Sequence, residues 1–295
     1  MLNPSERRYK SYLLPEIFIP DCTYIGAFLS LRCNYACSYC INKHGTFKTR
    51  HEMTAQEWCD GLNRLKVDRG QMLPVTLQGG EPTVHKEWQD IIAGIKEDLY
   101  LDILTNLTFK IDNFVVCAPP SRWERAVPYP AIRVSYHPEF SPYDELLDKA
   151  SSLDLLGYPI GIFVVEHPTV DVKPLKVKAN RLGLDFRTKE FLGVYDGKLY
   201  GEYKYRGAVE GQIGEKPVKC RSRELLIAPD GNIHRCHRDL YSGENAIGHI
   251  LDKNLGIEFK FRECSNMGLC SCCDCKKKND RFQRFGACSV EIETL

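Results

Sequence analysis

Apolar runs of strand length alternate with longer stretches in which apolar residues recur at helical spacing over the first two-thirds of the chain. The run Tyr24 to Leu31 is mostly apolar and β-prone, and predicts a first strand. Thr54, with Glu57 three residues on, is a capping-box start for a helix over about 55–69. Further strands are predicted at about 73–78, 100–105, 131–136, 160–165 and 184–187, with helices at about 86–98, 143–156 and 172–182. Residues 106–130 contain four prolines and read as less regular. Six strand–helix steps predict a parallel sheet with right-handed crossovers, an α/β fold built as a partial (β/α)6, TIM-like barrel. In such barrels the active site lies at the C-terminal strand ends. After about residue 190 the alternation stops. The stretch Gly193 to Gly214 is rich in Gly and Tyr and reads as loops or a small hairpin. The organisation expected is a core over 1–190 and a small cysteine-rich C-terminal domain over 191–295.

Composition narrows the class. The chain has 295 residues, 43% of them apolar, and a net charge of +1. That is enough apolar content for a core, and no global field recruits nucleic acid or an anionic membrane. No apolar stretch approaches the ~20 residues needed to span a bilayer, and Met1 to Arg8 is too polar for a signal peptide. A cytoplasmic protein is expected. In that compartment its 14 cysteines read as metal ligands rather than disulfides.

The cysteines form two groups. Cys33, Cys37 and Cys40 follow the first strand with Cys-x3-Cys-x2-Cys spacing, and Tyr39 stands just before the third. Three thiolates in one loop can hold three irons of a cubane cluster, which normally takes four, and leave one iron open. An open position suits catalysis, whereas a structural site is closed. A zinc knuckle with a borrowed fourth ligand is the alternative. The second strand runs into Gln78-Gly79-Gly80-Glu81-Pro82, where adjacent glycines let backbone approach a ligand closely.

Together these motifs resemble the radical S-adenosylmethionine (SAM) enzymes over roughly residues 24 to 190. The resemblance implies that Cys33, Cys37 and Cys40 ligate a [4Fe-4S] cluster, and that SAM chelates the open iron through its amino and carboxylate groups. It places Gly79, Gly80 and Glu81 at the methionine end of SAM, with Tyr39, Asn106 and Ser135 as further cofactor contacts. One-electron reduction of SAM would then give a 5′-deoxyadenosyl radical that abstracts a substrate hydrogen atom. A flavodoxin- or ferredoxin-type reductant is implied. His137, before Pro138, can shape a turn, contact substrate or touch SAM. Cys117, in the irregular segment, is a candidate hydrogen donor; Cys22 and Cys59 are formal ones, with Cys59 most simply core.

The second group holds Cys220, Cys236, Cys264, Cys270, Cys272, Cys273, Cys275 and Cys288. Asp230-Gly231 between apolar runs signals a hairpin that brings Cys220 and Cys236 closer. This half, with Ile247-Gly248-His249-Ile250, resembles the SPASM and twitch extensions that carry auxiliary iron–sulfur clusters. The compressed Cys270-Ser271-Cys272-Cys273-Asp274-Cys275 run departs from the usual spacing. Adjacent Cys272 and Cys273 point apart, so both on one cluster is awkward. One or two auxiliary [4Fe-4S] clusters are expected, with zinc as the alternative. The substrate is a small polar metabolite or natural product, oxidised or epimerised, or else a ribosomal peptide. The short segment before the first strand weighs against a leader-binding domain. A non-catalytic iron–sulfur carrier or zinc-stabilised binding module is the reading from another class; it has no need of an open iron beside Gly-Gly-Glu-Pro.

Overall fold

The computed structural model describes residues 14–42, 51–67, 72–211, 218–278 and 288–294. Six strands alternate with helices: β1 (Tyr24–Ser30), α1 (Ala55–Asn63), β2 (Val75–Gly79), α2 (Trp88–Gly94), β3 (Leu101–Thr105), α3 (Ile111–Cys117), β4 (Ile132–Tyr136), α4 (Tyr143–Leu155), β5 (Ile160–Glu166), α5 (Val172–Arg181) and β6 (Asp185–Glu190). The strands lie side by side in chain order, and every pair is parallel.

Alternation along each strand sets its two faces. Ile25, Ala27, Val75, Leu77, Ile103, Ile132, Val134, Ile160 and Ile162 point towards the helices and join one core with Trp58, Leu62, Ile91, Phe114, Leu146 and Leu153. The opposite face carries Phe28, Thr76, Gln78, Asp102, Arg133, Ser135, Phe163 and Arg187. Their cross-strand registers include Thr76 with Asp102, Ser135 with Phe163 and Phe163 with Arg187.

Several boundaries differ from the sequence reading. Helix α1 begins with the expected capping box: Thr54 Oγ1 accepts from Glu57 N at 3.3 Å, and Glu57 Oε2 accepts from Thr54 N at 2.7 Å. It ends at Asn63 rather than near 69. Leu65 and Lys66 instead pair in parallel with Ile17 and Phe18, and residues 68 and 69 lie outside the described residues. The proline-rich stretch is more ordered than expected. It holds α3, whose N-cap makes no side-chain hydrogen bond, and a 3-10 turn over Pro120–Trp123. β6 is a full strand of six residues, so Arg187 and Lys189 lie within it.

Downstream come a small antiparallel hairpin, β7 (Gly193–Tyr195) with β8 (Lys198–Tyr200), then β9 (Val218–Ser222), β10 (Glu224–Ile227), β11 (Asn232–His234), α6 (His237–Ser242), β12 (Gly248–His249), β13 (Arg262–Cys264), α7 (Cys272–Cys275) and β14 (Val290–Thr294). β10 pairs in parallel with β1, and β11 and β12 follow it antiparallel. The large sheet therefore has nine strands, running β12-β11-β10-β1-β2-β3-β4-β5-β6. β12 and β6 are its edges, so the sheet is open among the described residues. The Asp230-Gly231 hairpin is present, with Gly231 at φ +84. β9 forms a separate three-stranded antiparallel sheet with β13 and β14. Among the described residues no helix is long and apolar enough to cross a membrane.

Candidate active site

The cysteine loop leaves β1 at its C-terminal end and is pinned there from three sides. The first is the end of β2. Gly79 and Gly80 lie against the chain just after β1: Gly80 N donates to Ser30 O at 2.9 Å and Glu81 N to Arg32 O at 2.9 Å. A Cβ on Gly79 would stand 1.9 Å from Ser30 O, and one on Gly80 2.3 Å from Arg32 O. Gly79 also has φ +150, a conformation that glycine adopts freely. The close approach these glycines permit is therefore to the chain's own backbone, at the root of the cysteine loop.

Glu81 turns inward. It is 2% exposed. Its carboxylate accepts from Thr83 N, Thr83 Oγ1, Thr105 Oγ1 and Asn106 N at 2.6–3.2 Å. Burial nevertheless raises its pKa above the ordinary carboxylate value. Its side chain ties the end of β2 to the end of β3 and so holds the glycine segment in place. Asn106 continues this lattice: its Nδ2 donates to Asn34 Oδ1 at 2.8 Å, inside the cysteine loop, while Asn34 Nδ2 donates to Thr108 Oγ1 at 2.9 Å.

The third support comes from the end of β4. His137 Nδ1 lies 3.3 Å from Cys37 Sγ and 3.2 Å from Tyr39 OH. Its ring stacks on Tyr39 and meets Tyr35 edge-on. Burial lowers its pKa to about 4, so the ring is neutral at physiological pH. Glu139 accepts from Ser38 N at 2.8 Å and from Ser38 Oγ, and Phe140 stacks on Tyr35 at 5.0 Å. Tyr39 also contacts His167, which meets Phe191 and Tyr195. Ser135 faces the same side of the sheet, opposite Phe163.

Cys33, Cys37 and Cys40 are half-buried thiols outside any disulfide. Burial raises Cys33, and burial followed by the charges of Cys40, Glu139 and Cys33 pushes Cys37 up to about 12. Loading a metal here must therefore release protons. Among the described residues no three His, Cys, Asp or Glu side chains are gathered as for a single ion. Among the described residues the donor set is three soft thiols without a fourth protein ligand, which fits a cluster whose thiolates bind separate irons and leave one open.

Cys117 is not brought to this site. It ends α3, 7% exposed, with Sγ donating to Phe114 O at 3.1 Å. The next residue accepts from Tyr158 OH at 2.8 Å, just before β5 begins. Cys117 thus sits at the opposite end of the strands, with its thiol pushed up to about 12 by burial. Cys22 and Cys59 are likewise buried, at 2% and 1% exposure.

In the C-terminal segment Cys220, Cys236, Cys264 and Cys270 line one cavity with Arg235 and Asp274. Cys220 donates to Cys264, which raises the first thiol and lowers the second. Cys270 and Cys275 form a second such pair, with Cys270 lowered and Cys275 raised. Thiolate character of this kind suits metal ligation. Cys272 and Cys275 pack against Tyr203 and Ala208. Burial raises the Cys273 thiol, and Lys276 and Lys278 act on it in the opposite sense. Cys288 Sγ donates to Val290 O at 2.6 Å.

Sequence reasoning missed Asn34, Glu139, Asn42 and Tyr241. Glu139, two residues beyond His137, was within reach of the strand-end argument. The others act through pairing that sequence does not display: Tyr241 OH donates to Asn42 Oδ1, and Asn42 Nδ2 to Gly79 O at 3.1 Å.

Comparison with known proteins agrees with this geometry. A GTP 3′,8-cyclase of Brucella ovis is 30% identical over 86 residues, 29% of this chain and 25% of that protein, and the enzyme of Brucella canis matches equally. The chain thus spans about a quarter of the length of these curated relatives. SuiB of Streptococcus suis has a similar fold, with a TM-score of 0.53 and 14% identity over 82% of this chain and 65% of that one. Residues 28–152 match the Radical SAM superfamily. That match starts within β1 and carries through the cysteine loop and the Gly79–Glu81 segment into α4, so this part of the chain is similar to the radical SAM superfamily.

Proposed function

We propose that the chain is a radical SAM enzyme that takes a hydrogen atom from a small polar metabolite or natural product, with oxidation or epimerisation as the outcome. In this reading Cys33, Cys37 and Cys40 hold a [4Fe-4S] cluster and SAM occupies the open iron. The observation that supports it best is a set of three thiols, with no fourth protein ligand gathered to them among the described residues, rooted on the Gly79–Glu81 strand end. Bound together, cluster and SAM supply one electron and a radical able to attack an unactivated C–H bond.

The chain's own residues position and shield that chemistry. Glu81 and Asn106 fix the glycine segment and the cysteine loop to one another. His137, held neutral, is a hydrogen-bond partner for Cys37 and adds no charge beside the cluster. Tyr35, Tyr39, Phe140 and His167 form an aromatic wall beside the cysteine loop, which would help shield a radical that attacks the nearest C–H bond.

An auxiliary cluster on Cys220, Cys236, Cys264 and Cys270 is part of the same proposal, because these four thiols line one cavity. Its role would be to take an electron from the substrate, and a flavodoxin- or ferredoxin-type protein would supply electrons to the first cluster. The test is metal content after anaerobic reconstitution with iron and sulfide. About eight irons per chain are expected, falling to about four when Cys33, Cys37 and Cys40 are changed to Ala, and to about four when Cys220 and Cys236 are changed instead. Stoichiometric zinc in place of iron would overturn the reading.

A further inference from the structure

The sheet face turned away from the helices carries buried hydrogen-bond donors with no partner among the described residues. Asp102, fully buried on β3, is shared by two guanidinium groups: Arg125 Nη2 pairs with its Oδ1, and Arg133 Nη2 with its Oδ2 at 3.0 Å. The Arg125 side chain is 2% exposed and that of Arg133 7%. Tyr129 lies under both guanidiniums, 4.8 Å from Arg125 and 6.0 Å from Arg133, and its hydroxyl also reaches Asp102. One carboxylate thus faces two cations. Among the described residues, Arg125 Nε and Nη1, Arg133 Nε and, on the same face, Gln78 Nε2 are buried without a hydrogen-bond partner. All four are donors. A cluster built only to brace the fold leaves no reason for four buried donors on one face, since buried polar groups are nearly always satisfied.

A cleft of about 430 Å³ adjoins this cluster, lined by Trp123, Glu124, Arg125, Tyr129, Ala131 and Pro159. That volume is in the range of ligand sites. Ala131 and Pro159 immediately precede β4 and β5, so the cleft opens at the strand ends opposite the cysteine loop. Asp102 and Asn106 are four residues apart along β3 and its exit, about 13 Å at strand rise.

We propose that Arg125 and Arg133 form an anion subsite for the substrate, taking a phosphate or carboxylate at one end of an extended molecule. The other end then lies along Gln78 and Ser135 towards the cofactor edge. The assignment of the substrate's reactive end rests on the radical SAM reading; the anion subsite does not.

The test is equilibrium dialysis of the reconstituted full chain with radiolabelled inorganic phosphate, with acetate as competitor. One phosphate per chain is expected. Arg125→Gln should weaken it at least tenfold, and Arg125→Lys less, because charge is kept while the fork is lost. Asp102→Asn should tighten binding, since it removes the competing carboxylate. If Arg125→Gln does not fold, the Asp102→Asn arm decides. Displacement by acetate at concentrations like those of phosphate identifies a carboxylate site, and resistance a phosphate site. No bound phosphate, or binding that neither Arg125→Gln nor Asp102→Asn alters, overturns the subsite. SAM cleavage by the same preparation is scored separately: cleavage without phosphate binding sinks only the subsite, and phosphate binding without cleavage sinks only the radical SAM reading.

Discussion

Gly79 and Gly80 are the tightest points of the site, and any side chain there meets carbonyl oxygens that belong to the root of the cysteine loop. Gly79→Ala is expected to cost roughly 1–3 kcal/mol, the usual range for overpacking, and more if the positive φ cannot relax. The apparent midpoint of urea unfolding of the metal-free protein reads it. His137 gives a pH signature. Its pKa is depressed from 6.5 to about 4 by burial. A base depressed in the fold binds fewer protons there than in the unfolded chain, so the stability it contributes is present above pH 6.5 and lost as pH falls towards 4. His137→Asn should flatten that part of the stability–pH curve of the metal-free protein. An unchanged slope would mean that the ring is already solvated.

Elements explain what the sequence showed and what it hid. The α1 start was legible because Thr54 and Glu57 form a local motif whose hydrogen bonds stay within three residues. Thr54→Ala should cost about 1 kcal/mol, seen as a lower melting temperature with cysteine-loop metal content unchanged. α3 was hidden: it is one of the short helices, lacks a side-chain N-cap bond, and stops just before Pro119 and Pro120, which dominate its composition signal. The β1–β10 pairing was hidden for another reason. Its partners are about 200 residues apart, and register with a distant strand leaves no local periodicity. Helix α6 depends on that pairing. Cys236 caps it, and Tyr241 near its other end reaches Asn42 beside the cysteine loop. Tyr241→Phe leaves Asn42 Oδ1 without that donor, a loss of roughly 0.5–1.5 kcal/mol. Calorimetric SAM affinity should fall about three- to tenfold with iron content unchanged. Equal affinity would show that the bridge is incidental.

At the scale of the molecule, the six parallel strands, their helices and the strand ends that meet the cysteines were readable from alternation, because a parallel sheet fixes which end of each strand the loops share. The cysteine spacing singled out three thiols, and the structure places them in the loop that leaves β1. It did not reveal that Glu81 and Asn106 would tie the strand ends and the cysteine loop together, because a buried carboxylate and an exposed one look alike in sequence. Nor did it show that Cys220, Cys236, Cys264 and Cys270, of eight C-terminal thiols, line one cavity, an arrangement made by two strands, a helix cap and a loop. The two cysteine groups are not independent bodies in the sheet: β10 to β12 extend the edge at β1, from which the first cysteine loop departs.

The most direct test of the account is SAM cleavage by anaerobically reconstituted protein under dithionite. The account predicts 5′-deoxyadenosine from the wild type and none from a variant with Cys33, Cys37 and Cys40 changed to Ala. Protein with its full iron complement and bound SAM that forms no 5′-deoxyadenosine, with or without candidate anionic substrates, would contradict it.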